Sequence, residues 1–234
     1  MISPLRNGHL VVFDEVHSTQ NVAAADLEAG GDYGVVQARN QSNGRGRRDR
    51  QWHSNPGDCL LMSLVMRGYA NVPQPHWIGM ALAVVVAEVT DAKVAWPNDV
   101  LIDGKKVAGI LTEVAQGVPI VGVGINVNTS AFPEDIAHRA TSLRMATGHA
   151  WSVDDLRDRI LEAVESFPEP TGWDSFGDRW MLRDTTPGKR FLTTEGQIVV
   201  AAGVASDGAL LYEADGRLEK LYTADGLYRV PSEV

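Results

Sequence analysis

The sequence predicts an α+β fold, in which a mixed β-sheet is flanked by helices and is followed by a small C-terminal β-barrel. In the first 185 or so residues, apolar β-prone runs alternate with helical segments, a pattern typical of a sheet covered by helices. After Pro187-Gly188, short β-prone runs are separated by Asp-Gly pairs at 207–208, 215–216 and 225–226, spaced like successive hairpin turns. We therefore predict a main domain at 1–185 and a small barrel at 186–234.

The first elements of the main domain lead into a long polar loop. HLVVFDEV (9–16) predicts a strand, and Ser18 or Thr19 is placed to cap the helix that follows it. YGVVQA (33–38) is apolar and β-prone, so we predict a second strand. Residues 39–58 are then rich in Gly, Arg and Asn. Loops of this length inside compact domains are generally functional or disordered.

The rest of the main domain alternates between apolar strands and helices. The predicted strands are CLLMSLVMR (59–67), KVAW, VLID, KKVAGILTEV and VPIVGVGINVN (118–128). The predicted helices are 76–90, opened by Pro75, about 152–167, capped by Ser152, and about 173–182. Asp103-Gly104 tolerates positive φ and predicts a hairpin between VLID and KKVAGILTEV.

Composition excludes several classes of protein. The formal net charge of −9 argues against a general nucleic-acid binder, and no run approaches 18 apolar residues, so we expect no membrane span. The N-terminus lacks the apolar core and cleavage site of a signal peptide, and the single cysteine, Cys59, cannot form an internal disulfide. We expect a cytoplasmic protein with a buried, inert thiol. The six scattered histidines show no zinc spacing, so no structural metal is expected.

Arginines cluster in the long loop. NGRGRRDRQW (43–52) holds four arginines and two glycines in an otherwise acidic chain. Glycines let backbone N–H groups approach an anion closely, and guanidinium groups match phosphate or carboxylate oxygens in pairs. The spacing fits neither the GxxxxGK[ST] loop nor GxGxxG. A phosphate-binding loop is the favoured interpretation, with a solvated basic loop or a nucleic-acid contact as alternatives.

A second candidate segment is WPNDVLIDGKKVAGILTE (96–113). Its proline bends the chain and leaves Asn98 and Asp99 at a strand end, where side chains commonly face a ligand. Lys106 enters a strongly apolar strand, so its ammonium must point to water or to a buried anion. The alternative is an edge lysine whose ammonium extends to the solvent.

Glycines inside the strand VGVGINVN form the third candidate. Gly122 and Gly124 mark close backbone approach to a ligand or, equally, a bulge or tight packing. Two tryptophans accompany the candidate segments. Trp52 is either a lid over a pocket or a hydrophobic anchor for the loop, whereas Trp96 is expected to belong to the core.

Together, the ordered segments EVHSTQN, QSNGRGRRDRQWHS, WPNDVLIDGKKVAGIL and GVGINVN resemble the motif set of the biotin–protein ligases. The resemblance spans almost the whole chain. It implies a core similar to that of class II aminoacyl-tRNA synthetases and of biotin and lipoate ligases, with an SH3-like C-terminal barrel. Some members carry an N-terminal helix-turn-helix repressor domain, and this sequence resembles the monofunctional type without it.

The resemblance implies a two-step reaction. Biotin and ATP, with Mg²⁺, would form biotinyl-5′-AMP and pyrophosphate, and biotin would then pass to one lysine of a biotin carboxyl carrier domain of a carboxylase. The residues expected to bind biotin are Ser18, Thr19, Gln41, Gly44, Arg45, Lys106, Gly109 and Gly124. Those expected at ATP or the adenylate are Arg45, Arg47, Arg48, Arg50, Trp52, Asn98, Asp99, Lys106 and Asn126. The expected catalytic residues are Lys106, Arg45 and Arg47, with Lys106 bridging the biotin carboxylate and the α-phosphate.

Two positions depart from the family pattern. Asp49 stands where the third glycine of GRGRRGR is usual, and Ala95 stands where a lysine usually precedes WPND, with Lys93 two residues upstream. Two alternative functions remain open: lipoate ligation or octanoyl transfer on the same fold, and a non-enzymatic biotin or nucleotide sensor. The oligomeric state is also open between a monomer and a homodimer.

Overall fold

Seven strands form one mixed sheet in the computed structural model, which describes residues 3–6, 8–47, 50–70, 72, 74–193, 197–214 and 216–222. The strands are β1 (His9–Val16), β2 (Tyr33–Gln41), β3 (Cys59–Val65), β4 (Lys93–Ala95), β5 (Asp99–Ile102), β6 (Lys105–Ala115) and β7 (Val118–Asn126). Their order across the sheet is β1-β2-β3-β7-β6-β5-β4. β1 and β2 run parallel and all other neighbours run antiparallel, which confirms the predicted mixed sheet.

Helices cover both faces of this sheet. They are α1 (Thr19–Glu28), α2 (His76–Val89), α3 (Glu134–Ala137), α4 (Leu143–Thr147), α5 (Val153–Ser166) and α6 (Gly177–Met181). Successive residues of β2 point to opposite faces: Val35 packs in the cluster that contains α2 and α5, and Val36 packs in the cluster beneath α1. Within the described residues, no helix has both the length and the apolar character needed to cross a membrane.

Several predicted elements have different bounds in the structure. The strand predicted at 59–67 ends at Val65 and is followed by a 3-10 turn at Arg67–Tyr69. The helix predicted at 173–182 is split into a 3-10 turn, Trp173–Ser175, and α6, because Phe176 leaves the helical backbone (φ −149°, ψ −4°) and buries its ring. The strand predicted at 33–38 continues to Gln41, so the long loop is shorter than expected.

The C-terminal residues form a second, smaller sheet. Its strands are β8 (Arg190–Leu192), β9 (Ile198–Val204), β10 (Leu210–Ala214) and β11 (Arg217–Leu221), all antiparallel in the order β11-β10-β9-β8. The predicted turn at Asp207-Gly208 is present, with Gly208 at φ 81°. The other two Asp-Gly turns include residues outside the described ranges. The described residues form an open sheet, so its closure into a barrel stays a prediction.

Trp96 joins the small sheet to the main one. Its indole Nε1 donates a 2.8 Å hydrogen bond to the backbone oxygen of Gly208, and its backbone N–H donates to Thr186 Oγ1 at 2.9 Å. The side chain is 3% exposed, as expected for a core residue. Phe191 and Leu210 of the small sheet pack in the same buried cluster as Trp96.

Trp96→Phe tests this connection, because it keeps a ring but removes the donor to the Gly208 oxygen. We expect the free energy of unfolding to fall by about 1–3 kcal/mol, the usual cost of an unsatisfied buried polar group. Urea denaturation measures this loss. Trp151→Phe removes the bond from a partly exposed indole to Thr147 Oγ1 and is the matched control, expected to cost less. A larger loss for the control than for Trp96→Phe would contradict the assignment.

Candidate functional site

A cavity of about 650 Å³ opens on the face of the main sheet that α1 covers, beneath the long loop. It brings together most of the predicted site residues: Ser18, Thr19, Gln41, Arg45, Arg47, Arg50, Trp52, Asn98, Asp99, Lys106, Gly109, Gly124 and Asn126. Gly44 lies behind this lining as a buried support of the loop. Arg48 and the unusual Asp49 lie outside the described residues.

The floor of the cavity is a pair of glycines on adjacent strands. Gly109 of β6 lies directly opposite Gly124 of β7, and the Trp52 indole packs over both. A Cβ at Gly124 would lie 2.7 Å from Trp52 Cε2, and one at Gly109 would lie 3.2 Å from Trp52 Cζ3. Side chains at these positions would therefore displace the indole. Trp52 is thus both part of the cavity wall and the anchor of its loop.

Residues 43–52 are named here the arginine loop, and its described ends pair in antiparallel fashion, with a bridge between Arg45 and Gln51. Trp52 N–H donates to the Gly44 oxygen at 2.9 Å, and Gly46 N–H donates to the Arg50 oxygen at 2.7 Å. A Cβ at Gly44 would lie 2.7 Å from the Trp52 backbone oxygen, so the close pairing requires glycine there. These bonds hold the side chains of Arg45, Arg47 and Arg50 in the cavity lining.

A β-bulge points Lys106 into the cavity. The pairing of β5 with β6 passes from Val100↔Ala108 to Leu101↔Lys106, so one extra residue of β6 lies between these pairs. In a regular strand, residues 106 and 109 would face opposite sides of the sheet. With the bulge, the Lys106 side chain lies over Gly109, where an added Cβ would be 3.0 Å from Lys106 Nζ.

The Lys106 ammonium has two neighbours on the cavity wall. Its Nζ lies 2.6 Å from Asp99 Oδ1 and 5.7 Å from the centre of the Trp52 ring. The Lys106 backbone is also fixed, since its N–H donates to the Arg139 oxygen and its oxygen accepts from Thr141 N–H. The ammonium is half-buried, so an anion entering the cavity can reach it.

Small polar side chains form one end of the cavity. Ser18 and Thr19 are buried at the start of α1. The Thr19 hydroxyl lies 2.8 Å from Ser63 Oγ, and Thr19 N–H donates to Gln41 Oε1 at 2.8 Å. Ser18 occupies the predicted N-cap position, but its side chain makes no capping hydrogen bond.

Gln20 and Glu113 are site residues that sequence reasoning missed. Gln20 Nε2 donates to Glu113 Oε2 at 2.7 Å, and Arg45 of the arginine loop pairs with the same carboxylate oxygen. A carboxylate is an acceptor, so this bond fixes the orientation of the Gln20 amide and leaves its Oε1 facing Gly122. Gln20 lines the cavity and is 5% exposed, and its Oε1 is buried without a hydrogen-bond partner among the described residues, so it suits a ligand with an N–H donor.

The two predicted asparagines bind backbone at the cavity wall. Asn98 donates from Nδ2 to the Ile110 oxygen, and its Oδ1 lies 3.5 Å from an Arg47 nitrogen. Asn126 is buried and donates from Nδ2 to the Thr141 oxygen at 3.0 Å. These bonds fix the ends of β5 and β7.

The segment 129–141 and the start of β8 also line the cavity. Phe132, Ile136 and Arg139 contribute from the first, and Lys189 and Phe191 from the second. Sequence reasoning missed them because α3 has four residues and no amphipathic repeat, and because the contact of β8 is long-range. A concentration of His, Arg and Asp between 135 and 139 was the available indication.

Cys59 is buried, as predicted. Its Sγ lies 3.5 Å from Thr129 Oγ1, and burial raises the pKa of the thiol, which keeps it protonated at neutral pH. The other departure from the family pattern, Ala95, is buried and lines the cavity, whereas Lys93 is exposed and lies outside the lining. Among the described residues, no group of three His, Cys, Asp or Glu side chains is arranged to hold a metal ion.

The chain is similar in sequence and in structure to several known proteins. The model of the Biotin/lipoate A/B protein ligase family matches residues 12–130. The bifunctional ligase/repressor BirA of Bacillus spizizenii is 32% identical over 93% of this chain and 73% of its own length. The biotin–[acetyl-CoA-carboxylase] ligase of Paracoccus denitrificans is 30% identical over 75% of this chain and 82% of its own. Among solved structures, the biotin protein ligase of Aquifex aeolicus in complex with biotin and ATP aligns with a TM-score of 0.77 and 27% identity, covering 93% of this chain and 97% of that one.

Gly124→Ala tests the packing of the floor. The added methyl group collides with the Trp52 ring, so we expect the free energy of unfolding to fall by about 1–3 kcal/mol, with a change in tryptophan fluorescence. Gly172→Ala is the control, because a Cβ there meets nothing within 4 Å and the backbone is extended. Thermal unfolding monitored by fluorescence compares the two variants. Equal behaviour would show that Trp52 does not rest on Gly124.

Proposed function

Because the chain belongs to the biotin/lipoate A/B protein ligase family, we propose that it is an ATP-dependent biotin–protein ligase. It joins biotin and ATP into biotinyl-5′-AMP and pyrophosphate. It then transfers the biotinyl group to a lysine of a biotin carboxyl carrier domain, as in biotin–[acetyl-CoA-carboxylase] ligases.

The observation that carries this proposal is the position of the Lys106 ammonium. It lies over the glycine floor, beside Asp99 and Trp52, where it is both fixed and accessible to an anion. In the first step, an oxygen of the biotin carboxylate attacks the α-phosphorus of ATP, and the bond to the β-phosphate oxygen breaks as pyrophosphate leaves. Both reactants are anions, so a fixed cation between them stabilises the transition state by positioning and electrostatics.

The arginine loop supplies further positive charge. Arg45 pairs with Glu113, which also binds the cavity residue Gln20, and Arg47 lies 3.5 Å from the amide oxygen of Asn98, so the loop is held over the site before the adenylate forms. A mixed anhydride is labile in water, and a loop that covers it limits its hydrolysis and escape. In the second step, the acceptor lysine amine attacks the acyl carbon and AMP leaves.

The polar end of the cavity favours biotin over lipoate. The ureido ring of biotin carries two N–H donors, and the buried Gln20 Oε1 is an acceptor that has no partner within the described residues. The dithiolane ring of lipoate has no such donor. A site that leaves a buried acceptor unpaired disfavours the ligand without the donor.

Mg²⁺ is expected to bind together with ATP, and the carboxylate oxygens of the cavity are suitable ligands for it. Mg²⁺ is usually held by one or two carboxylates together with substrate phosphates. Asp99 and Asp135 are carboxylates that line the cavity and would provide such ligands. Bound there, the ion would offset the repulsion between the two anionic substrates.

The C-terminal residues 186–234 are proposed to form a separate small barrel of the SH3-like type. The antiparallel sheet β8–β11, with the glycine turn at Gly208, supports this assignment. We place the reaction in the cytoplasm, because the single cysteine is a buried free thiol.

Mass spectrometry of a carrier domain tests the function. The protein is incubated with biotin, ATP, Mg²⁺ and the carrier domain, and we expect one biotinyl group on a single lysine. Lipoate replaces biotin in the control. Modification with lipoate alone would show that the chain is a lipoate ligase, and a bound but unreacted biotin would show that it is a sensor.

Lys106→Ala tests the catalytic assignment. Losing one fixed cation at the reacting centre costs on the order of a hundred- to a thousandfold in rate, so biotinyl-AMP formation should fall by that factor while the fold survives. Lys105→Ala is the matched control, because Lys105 is exposed and lies outside the cavity lining. Pyrophosphate exchange measures the first step. A normal rate in Lys106→Ala would remove this residue from the mechanism.

A further inference from the structure

A short segment after α6 extends the main sheet beyond β4. Val94 N–H donates to the Arg183 oxygen at 2.9 Å, and Thr185 N–H donates to the Val94 oxygen at 2.9 Å. Val94 and Asp184 form a parallel bridge. The edge of β4 is therefore covered, and the residues that cover it lead directly into β8.

Lys189 places its ammonium beside this edge. Its Nζ donates to Thr185 Oγ1 at 2.7 Å, and the Thr185 hydroxyl donates in turn to the Val94 oxygen at 3.0 Å. The side chain is half-buried and lines the cavity that holds Lys106. A cation from the C-terminal part of the chain thus belongs to the wall of the main cavity.

The Lys189 backbone is fixed on both sides. Its N–H donates to the Thr186 oxygen at 3.1 Å, and its oxygen accepts from Ala201 N–H of β9 at 2.8 Å. Thr186 is itself fully buried, and its hydroxyl accepts from Trp96 N–H. The entropy of ordering the Lys189 backbone is therefore already lost in the fold, which favours tight binding of a ligand.

β4, the strand next to Lys189, contributes no charged side chain to the cavity. Ala95 is the β4 residue that lines it, opposite Asp99 of β5, and Lys93 is exposed outside the lining. Lys106 approaches from β6 on one side of this hairpin, and Lys189 approaches from the segment beyond β4 on the other. Three strand spacings of about 4.8 Å, roughly 14 Å, separate β6 from the segment that covers β4, and Lys189 follows that segment by four residues. Two lysine side chains and a triphosphate together are long enough to bridge such a span.

We propose that Lys189 binds the β- and γ-phosphates of ATP and the pyrophosphate that leaves, while Lys106 remains at the α-phosphate. This assignment rests on the proposed function. It makes Lys189 a substrate-binding residue contributed by the C-terminal part of the chain. Lys189 supplies a positive charge beside β4, whose own cavity-lining residue is the uncharged Ala95. As the α–β phosphoanhydride bond breaks, the electron pair and its negative charge pass to pyrophosphate, and the ammonium stabilises that charge.

Calorimetric titration with a non-hydrolysable ATP analogue and with AMP tests the assignment in the full chain. Lys189→Met removes one charge-assisted contact, so we expect the dissociation constant for the analogue to rise about tenfold or more and that for AMP to stay the same. Lys93→Met is the matched control, a lysine of β4 outside the cavity lining, and both of its constants should stay unchanged. Biotin affinity reports on the integrity of the fold in every variant.

Thr185→Val provides a second test that keeps the lysine. It removes the hydroxyl that binds the Lys189 ammonium but retains the backbone hydrogen bond between Thr185 and Val94. We therefore expect the dissociation constant for the analogue to rise several-fold and that for AMP to stay the same. The proposal is overturned if Lys189→Met binds the analogue as the unmodified chain does, if it weakens AMP equally, or if Lys93→Met causes the loss instead. An unmodified chain that binds neither biotin nor the analogue would instead defeat the proposed function.

Discussion

The packing of one indole on two glycines determines the shape of the site. Gly109 and Gly124 face each other on neighbouring strands, and the absence of two side chains leaves a depression in an otherwise close-packed sheet. Trp52 fills this depression and so fixes the arginine loop, which has few other apolar anchors. The same space allows the Lys106 side chain to lie flat over the sheet. The glycines are therefore required by the loop and by the lysine together.

The cationic side chains at the cavity form ion pairs whose carboxylates an anionic ligand can displace. Lys106 is paired with Asp99, and Arg45 shares the Glu113 carboxylate with Gln20. All of these side chains except Gln20 are partly exposed, so each ion pair contributes little to the stability of the fold. Their value is geometric, because they hold cationic groups at defined positions around the space that an adenylate would occupy. A substrate that displaces Asp99 from Lys106 therefore meets a group that is already oriented.

Sequence reasoning placed the elements of the main sheet, because hydrophobic periodicity and turn dipeptides are local properties, and most of the predicted site residues lie in the cavity lining. Lys106 was predicted as a site residue from its motif, but the direction of its side chain could not be predicted. Residues three apart on a regular strand face opposite sides of the sheet. A bulge in β6 places Lys106 and Gly109 on the same side, and no local sequence pattern predicts that bulge. Gln20 and Glu113 were missed for a related reason, since they meet across 93 residues of sequence, and Lys189 was missed because it reaches a cavity built from the distant main sheet. The split helix near Phe176 likewise follows from tertiary packing of the ring.

The bond between Trp96 and Gly208 has a consequence for how the chain can vary. Trp96 stands between Ala95, which lines the cavity, and the cis Trp96–Pro97 bond that leads to Asn98 and Asp99. Its indole is satisfied by the backbone of a turn more than a hundred residues later. A truncation or a domain exchange in the C-terminal sheet would therefore leave the Trp96 indole without its partner directly behind the cavity wall. The packing of the main sheet thus depends on the C-terminal sheet, and a graft between relatives would have to carry both.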